Sequence, residues 1–341
     1  MKKTISYILK ITLPLLLGGA ILYWMYRGFD FSQLSSVLDE MDWSWMLLSL
    51  PFGVLAQVFR GLRWRQTLDP LGEHARTSTA IYAIFISYAS SLVVPRIGEF
   101  ARCGVLKRYD DVSFPKALGT VVTERAVDTI VMLVATAVAL LVNMPVFTTF
   151  FSRTGTRLDT FFGQFTTTGY IVTLICGLAA LLLVFLLVRK MTIYNKVKDV
   201  VRNLWQGVIS LRHVNNVWLY LFFTVAIWFS YFFHFSLTFK CFEATSSLGF
   251  DAAIVSFVVG SIAVIVPTPN GAGPWHFAVK TMLILYGVES NAALFFVLIV
   301  HTIQTFLVVI LGIVGGICVK RKGEGDSEVK EVKADTSLSN T

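Results

Sequence analysis

Apolar segments long enough to cross a lipid bilayer make up most of this chain and limit the folds that it can adopt. The chain has 341 residues, of which 55% are hydrophobic and 15% are charged. Backbone N–H and C=O groups at membrane depth have no water to bind, so such segments must be helical. We therefore predict an all-α polytopic membrane protein. The segments lie at roughly 5–26, 44–62, 79–95, 115–144, 169–189, 216–240, 250–267, 274–287 and 291–319.

The formal net charge of +8 does not indicate nucleic-acid binding in this chain. Most Lys and Arg residues lie beside the ends of apolar segments, where the positive-inside rule of membrane topology explains them. The four cysteines lie far apart and show no CxxC spacing, so neither a disulfide framework nor a metal site is indicated. We expect no metal and no cofactor.

Six charged residues lie in the stretch Leu92–Asp128, among segments that are otherwise apolar enough for a bilayer. An isolated charge costs about 2.5 to 3.5 kcal/mol at the bilayer centre, so these side chains must be paired, hydrated or both. The six residues are Arg96, Glu99, Arg102, Glu124, Arg125 and Asp128.

The first three charges follow a proline, which suggests a helix start. If Pro95 opens a short helix, Arg96, Glu99 and Arg102 share one face of net positive charge.

The last three charges form a second group of net negative charge. Glu124 and Asp128 are four residues apart, so they share a helix face, and Arg125 lies beside them. We expect Glu124 and Asp128 to neutralise Arg96 or Arg102 inside the protein.

The distribution of Lys and Arg among the connections predicts the topology. The connections 60–78 and 189–215 are rich in these residues, whereas the connections 27–43 and 145–168 hold only one and two of them. The positive-inside rule is satisfied throughout only if 79–112 and 250–288 are re-entrant hairpins. The result is six spanning helices, two hairpins that enter from opposite faces, and cytoplasmic termini.

The same order of elements then occurs twice, in opposite orientation. Each unit consists of a spanning helix, a hairpin and a second spanning helix. Inverted repeats with broken helices near the midplane are how many transporters build a substrate site. The two units are 44–62, 79–112 and 115–144, followed by 216–240, 250–288 and 291–319.

The second hairpin contains the stretch PTPNGAGPWH, from Pro267 to His276. Proline and glycine at this density prevent a continuous helix, and Asn270, Gly271 and Gly273 tolerate positive φ. A helix that begins after them presents unpaired N–H groups to an anion. A kinked helix without a ligand is the alternative.

Two histidines and two aspartates have simple explanations as well as functional ones. His276 and His301 lie in membrane segments without HxxxH or HExxH spacing. A role in a polar cavity and a plain polar contact between helices have equal weight for them. Asp110 and Asp111 lie in a polar turn, where solvation explains them.

Four motifs follow one another along the chain: Arg60-x-x-Arg63-Trp64, Pro95-Arg96-x-Gly98-Glu99-x-x-Arg102, Glu124-Arg125-x-x-Asp128, and Pro269-Asn270-Gly271-x-Gly273 followed by Gly287-Val288. In these motifs the chain resembles the lysylphosphatidylglycerol synthase transmembrane (flippase-like) family, over nearly all of residues 5 to 320. The resemblance implies a multi-pass protein of the bacterial cytoplasmic (inner) membrane that moves a lipid between leaflets. His276 departs from the pattern, because many members carry Glu after the glycine tip.

In fused members of that family, a soluble aminoacyl-transfer domain follows the membrane part. Here we expect a membrane domain at 1–322 and a disordered cytoplasmic tail at 323–341. The resemblance therefore does not imply synthase activity. A membrane lipid and a lipid-modifying enzyme encoded separately are the expected partners.

The leading hypothesis is that the protein is no enzyme and translocates a phospholipid or a lipid-linked anionic head group between leaflets. Buried cations and half-helix N-termini suit a phosphate head group whose tails remain in lipid. The alternatives are an intramembrane enzyme acting on polyprenyl-phosphate or phospholipid, and a partner-binding membrane subunit. The candidate substrate-binding residues are Arg96, Glu99, Arg102, Glu124, Arg125, Asp128, Asn270, Gly271, Gly273, His276 and His301.

Overall fold

The computed structural model describes the backbone of residues 2–142 and 214–339, and the side chains of residues 12, 14–139 and 214–321. As the sequence predicts, these residues are helical, and no strand is present among them. The α-helices are α1 (Lys2–Tyr26), α2 (Leu34–Glu40), α3 (Trp43–Leu68), α4 (Thr77–Val93), α5 (Ile97–Asp110), α6 (Phe114–Val142), α7 (Val217–Ser236), α8 (Glu243–Ser246), α9 (Phe250–Ala263), α10 (Pro274–Leu285) and α11 (Ser290–Ser339).

Three of the six predicted spans are confirmed as helical segments long and apolar enough to cross a membrane. The predicted spans 5–26 and 115–144 coincide with α1 and α6, and their crossing of the membrane stays a prediction. The sixth, 169–189, lies outside the described residues together with the connections on either side of it. The three confirmed segments are Trp43–Leu71, Val217–Cys241 and Ser290–Arg321.

The last helix extends beyond its apolar part. α11 continues to Ser339, through most of the tail for which the sequence predicts disorder. A polar helix is marginal in water unless it packs against another element, so the disorder of this tail stays a prediction.

The chain divides into two compact units. One contains residues 1–121 and 211–341, and the other contains residues 122–210. Every described helix except the C-terminal part of α6 belongs to the first unit.

Two helical hairpins lie in the first unit, where α4 packs against α5 and α9 packs against α10. Arg76, just before α4, forms an ion pair with Asp110 at the end of α5, with 2.6 Å between Nε and Oδ1. In the second hairpin, the Tyr286 hydroxyl lies 3.5 Å from the carbonyl oxygen of Asp251. The two ends of each hairpin therefore lie together, as a re-entrant hairpin requires. Entry of the hairpins into the membrane stays a prediction.

Each hairpin has its own hydrophobic core. The first core surrounds the buried Trp64 and contains side chains of α3, α4, α5 and the start of α6. The second surrounds Phe296 and consists mainly of side chains from α7, α9, α10 and α11. The order of helix, hairpin and helix thus occurs twice, as the predicted repeat requires. The opposite orientation of the two copies stays a prediction.

α3 and α7 pack against each other and run antiparallel. Near the start of α3, the carbonyl oxygen of Ser49 lies 2.9 Å from Nδ1 of His234 at the end of α7. Near the end of α3, Arg63 Nη1 donates to Thr224 Oγ1 over 3.3 Å. These two helices therefore join the two cores.

The interpretation of Asp110 as a solvated turn residue is wrong. Its side chain is only 2% exposed, and it accepts hydrogen bonds from the backbone N–H and Nε of Arg76 and from Oγ1 of Thr79. The sequence around Asp110 is polar, but its partners lie more than 30 residues earlier in the chain.

The ion pair at the base of the first hairpin makes a stability prediction. Asp110→Asn removes the charge that faces Arg76, and hydrogen bonds to charged groups contribute about 1.5 to 3 kcal/mol. We expect the thermal unfolding midpoint of the detergent-solubilised protein to fall. Asp111→Asn is the matched control, since Asp111 is exposed at φ 56° and asparagine adopts this conformation readily. Equal midpoints for the two variants would contradict a structural role for the pair.

Candidate functional site

The second hairpin is broken between α9 and α10, as its proline and glycine content predicts. α9 ends at Ala263 and α10 begins at Pro274, with a 3₁₀ turn at Pro269–Gly271 between them. Within the break, Asn270 has φ 50° and Gly273 has φ 91°. Left-handed residues at these points end one helix before the next begins. The two helices are therefore separate and do not form one kinked helix, and binding of a ligand at the break stays a prediction.

Asn270 is held in the break by residues of α11. Its Nδ2 donates to Thr305 Oγ1 over 2.9 Å, and its carbonyl oxygen lies 3.1 Å from His301 Nε2. Thr305 Oγ1 also lies 3.5 Å from His301 Nδ1. These three contacts form a closed ring of hydrogen bonds, which holds the irregular backbone at Asn270.

His276 completes this polar cluster from the first turn of α10. Its ring centre lies 4.4 Å from that of His301, and its Nδ1 lies 3.4 Å from the backbone nitrogen of Gly273. The His276 residue is 4% exposed. The structure thus brings together Asn270, Gly273, His276 and His301, four of the predicted site residues. Gly271 lies in the same turn.

α1 packs directly against this break, which the sequence analysis missed. A Cβ atom on Gly273 would lie 2.8 Å from the carbonyl oxygen of Gly18, and a Cβ on Gly18 would lie 2.9 Å from that of Ala272. Neither position accepts a larger side chain without movement of the backbone. Small residues at helix contacts allow this kind of close approach in membranes, so the Gly18-Gly19 pair was the available signal.

The break of the second hairpin also contacts the first hairpin. The turn Pro269–Gly271 packs against α4, in the same compact unit. The polar cluster around Asn270 therefore lies between α11, α1 and a helix of the other hairpin.

The tip of the first hairpin differs from its prediction. Pro95 does not open the helix: α5 begins at Ile97, and Arg96 precedes it with φ 66°. Arg96 is exposed, Glu99 is partly buried and Arg102 is 1% exposed. The three charges therefore do not share one helix face. The fixed φ of proline restricts proline itself and the residue before it, and it leaves Arg96 free to turn the chain.

Arg102 lies inside the first unit against an aromatic ring. Its guanidinium carbon is 4.6 Å from the ring centre of Trp64, and Trp64 Nε1 donates to Thr120 Oγ1 over 2.9 Å. A cation over an indole face is a favourable arrangement, which helps to hold this charge in a buried position.

Two further arginines are buried where the sequence predicted a connection. Arg60 and Arg63 lie in α3 and are 4% and 0% exposed, so their assignment to the connection 60–78 is wrong. The guanidinium carbon of Arg60 is 5.9 Å from the ring centre of Tyr231, whose hydroxyl lies 2.6 Å from that of Tyr88. The polar interior of the first unit therefore includes residues of α3, α4 and α7.

The remaining predicted site residues belong to the second unit, in the C-terminal part of α6. Glu124 and Asp128 are 1% and 7% exposed, which confirms that both are buried, and Arg125 is exposed. Their helical spacing of four residues places the two carboxylates on one face. Their pairing with Arg96 or Arg102 stays a prediction.

Comparisons with known proteins agree with the membrane architecture. The family model of the lysylphosphatidylglycerol synthase TM region matches residues 11–312. A stretch of 115 residues is 31% identical to the glycosyltransferase AglD of Haloferax volcanii, and it covers 33% of this chain and 18% of that protein. The chain therefore matches less than a fifth of the length of this relative. No solved structure matches this chain.

The close contact of α1 with the break makes a second prediction. Gly273→Ala adds both a strained positive φ and a clash with the Gly18 carbonyl, whereas Gly287→Ala adds the strain alone, because Gly287 has φ 92° and open space around it. The strain contributes about 1 to 2 kcal/mol. We expect both variants to unfold at lower temperature in detergent, and Gly273→Ala to lose more. Equal decreases in unfolding temperature for the two variants would show that α1 does not pack closely against the break.

Proposed function

Because this chain belongs to the family of the lysylphosphatidylglycerol synthase TM region, we propose that it translocates a phospholipid or a lipid-linked anionic head group between the leaflets of a membrane. The substrate passes the break of the second hairpin. Its head group contacts the polar cluster there, and its acyl or prenyl tails remain in lipid.

One observation carries this proposal, namely the polar break held among apolar helices. Irregular backbone at membrane depth is stable only where protein covers it or where it borders a water-filled cavity. Here the carbonyl oxygen of Asn270, within the break, is hydrogen-bonded to Nε2 of His301 in α11. α4 of the other hairpin packs against the same turn. Broken helices at such a junction form the substrate sites of many transporters.

The start of α10 offers a donor for a phosphate oxygen. The N–H of Gly273 points to His276 Nδ1 over 3.4 Å, which is long for a hydrogen bond of this type. A phosphate oxygen is a stronger acceptor than a neutral imidazole nitrogen, and helix N-termini favour negative charge. In this proposal an anionic head group replaces His276 as the acceptor.

The charged residues of the predicted site also take part in the proposed translocation. Arg96, Glu99 and Arg102 contact the head group from the first hairpin. Glu124, Arg125 and Asp128 of the second unit belong to the proposed set of charges, and the pairing of the two carboxylates with Arg96 or Arg102 stays a prediction. Alternate opening of the two hairpins then exposes the head group to one leaflet and to the other.

The proposed membrane arrangement has six spanning helices, two opposed re-entrant hairpins and cytoplasmic termini, in a bacterial inner membrane. The ion pair between Arg76 and Asp110 supports it, since it holds both ends of the first hairpin together. The contact between Tyr286 and Asp251 does the same for the second hairpin.

An intramembrane enzyme acting on polyprenyl-phosphate or phospholipid is the second candidate. The name of the AglD relative, a glycosyltransferase, favours it. That match covers a small part of the relative, so it gives no position for a catalytic residue in this chain. Magnesium-dependent product formation distinguishes the enzyme from the translocator.

Lipid exchange in liposomes tests the proposed function. We expect the reconstituted protein to move fluorescent phosphatidylglycerol between leaflets, as measured by dithionite bleaching, with no new lipid product by mass spectrometry. Asn270→Ala should slow exchange about tenfold, because it removes a buried hydrogen bond that shapes the break. Asn291→Ala, at an exposed asparagine near the start of α11, is the control and should exchange at the wild-type rate. Product formation with magnesium and without exchange would favour the enzyme.

Thiol labelling tests the topology. In a cysteine-free background, a single cysteine in 189–215 should resist an impermeant reagent added outside intact cells, and a cysteine near Thr154 should react. Both positions come from the positive-inside pattern of the sequence. Labelling of 189–215 from outside would overturn the re-entrant hairpins.

A further inference from the structure

The hydrogen bonds of the break determine where the protons of its two histidines lie. A backbone N–H can only donate, so Nδ1 of His276 must accept from Gly273 and cannot carry a proton. A carbonyl oxygen can only accept, so Nε2 of His301 must carry a proton toward Asn270. Thr305 receives a hydrogen bond from Asn270 Nδ2, and its own hydroxyl is then free to donate to His301 Nδ1. The His276 ring is therefore neutral in this conformation, and the contacts of His301 are satisfied by a neutral ring with its proton on Nε2.

We propose that His276 and His301 form a proton-binding site that couples proton movement to opening of the second hairpin. This inference rests on the proposed function, because it names the driving ion of the same translocation. Its ligand is a proton from water, and its responding element is the break at residues 267–274.

Protonation of His276 breaks the contact that closes the start of α10. A proton on Nδ1 would face the N–H of Gly273, so two donors would point at each other over 3.4 Å. The ring must then move away, and the N–H of Gly273 becomes available to an anionic head group.

Protonation of His301 acts on the other side of the break. A protonated Nδ1 can only donate, so the hydroxyl hydrogen of Thr305 must turn away and the Thr305 oxygen must accept from His301 as well as from Asn270. The hydrogen bonds around Asn270 are then rearranged. Neutral His276 closes the start of α10, and a proton on His301 changes the contacts of the residue beside it.

The pair holds one proton at a time. The two ring centres are 4.4 Å apart, and two imidazolium ions at this distance repel each other strongly in a buried site. The first proton therefore opposes the second, and the expected stoichiometry is one proton for each opening.

The groups around the pair leave its charge uncompensated. Tyr26 of α1 faces His276 with 6.4 Å between ring centres, and Trp275 lies 5.2 Å from His301. From α9, Gly260 faces Trp275, and Lys280 lies one turn further along α10. No carboxylate reaches either ring among the contacts of the described residues. The negative charge of an anionic head group is then the natural counter-ion of the protonated pair.

The cycle balances in protons. One proton from the first aqueous side binds the pair and opens the second hairpin, and the head group follows. Opening of the first hairpin then releases the head group and the same proton to the opposite side, and the neutral pair closes the break again. No other reactant is needed.

Fluorescence of Trp275 tests the proton site directly, because an imidazolium beside an indole quenches its emission. Subtracting the emission of a Trp275→Phe variant isolates this residue from the other tryptophans. Because burial without a counter-ion favours the neutral rings, we expect the wild-type difference signal to fall by roughly half only at the acidic end of a scan from about pH 8 to about pH 3. His276→Asn and His301→Gln keep hydrogen-bonding atoms near Nδ1 and Nε2 without titrating, so the double variant should show no fall. A wild-type signal that does not change with pH would overturn the proton site.

Transport under a pH gradient tests the coupling. With fluorescent phosphatidylglycerol in proteoliposomes, we expect a gradient to change the wild-type exchange rate about tenfold, and we expect reversal of the gradient to reverse the preferred direction. In His276→Asn or His301→Gln, the exchange rate should no longer depend on the gradient, whatever its basal value. His234→Asn is the control, since His234 is a buried histidine that contacts Ser49 away from the break, and it should keep the coupling.

The outcomes separate the two proposals. Wild-type exchange at a rate that does not depend on the pH gradient would overturn proton coupling and would still support translocation. Absence of any wild-type exchange overturns translocation, and the Trp275 signal then decides on the proton site alone.

Discussion

The architecture depends on how the polar backbone of the second break is satisfied inside an apolar bundle. A helix satisfies its own N–H and C=O groups, whereas a break at membrane depth leaves some of them open. In this chain α11 supplies the missing partners, since His301 and Thr305 bind both the backbone and the side chain of Asn270. The break is thus part of a packed structure, and any movement of it must exchange one set of partners for another.

α4 is the element through which such a movement reaches the rest of the first unit. It packs against α3, α5, α11 and the 3₁₀ turn of the break. Some of these contacts are very close: a Cβ atom on Gly98 would overlap the carbonyl oxygen of Ser87, and one on Gly312 would meet the Cβ of Ala89. Close packing of this kind transmits displacement instead of absorbing it. A change at the break therefore bears on both hairpins.

Local patterns in the sequence predicted the elements well and their partners poorly. The distribution of Lys and Arg predicted the two hairpins, and the Pro-Gly run predicted the break in the second one, because that run is a property of neighbouring residues. Asp110 was misjudged since its partner, Arg76, is 34 residues away. Arg60 and Arg63 were assigned to a connection because their charge outweighed their helical spacing, although burial in α3 is their actual position. The contact of Gly18 with the break has no local pattern beyond two small residues.

The contacts of α1 also constrain the order in which the protein assembles. α1 is synthesised before the second hairpin, yet the Tyr26 hydroxyl approaches the carbonyl oxygen of Leu294, 268 residues later in the chain. Gly18 likewise lies against Ala272 and Gly273. Until the second hairpin has been synthesised, this face of α1 has only lipid or a temporary neighbour to cover it. Docking of α1 on the break must therefore wait for the second hairpin, and a chain that stops short of that hairpin leaves Gly18 without its contacts to Ala272 and Gly273.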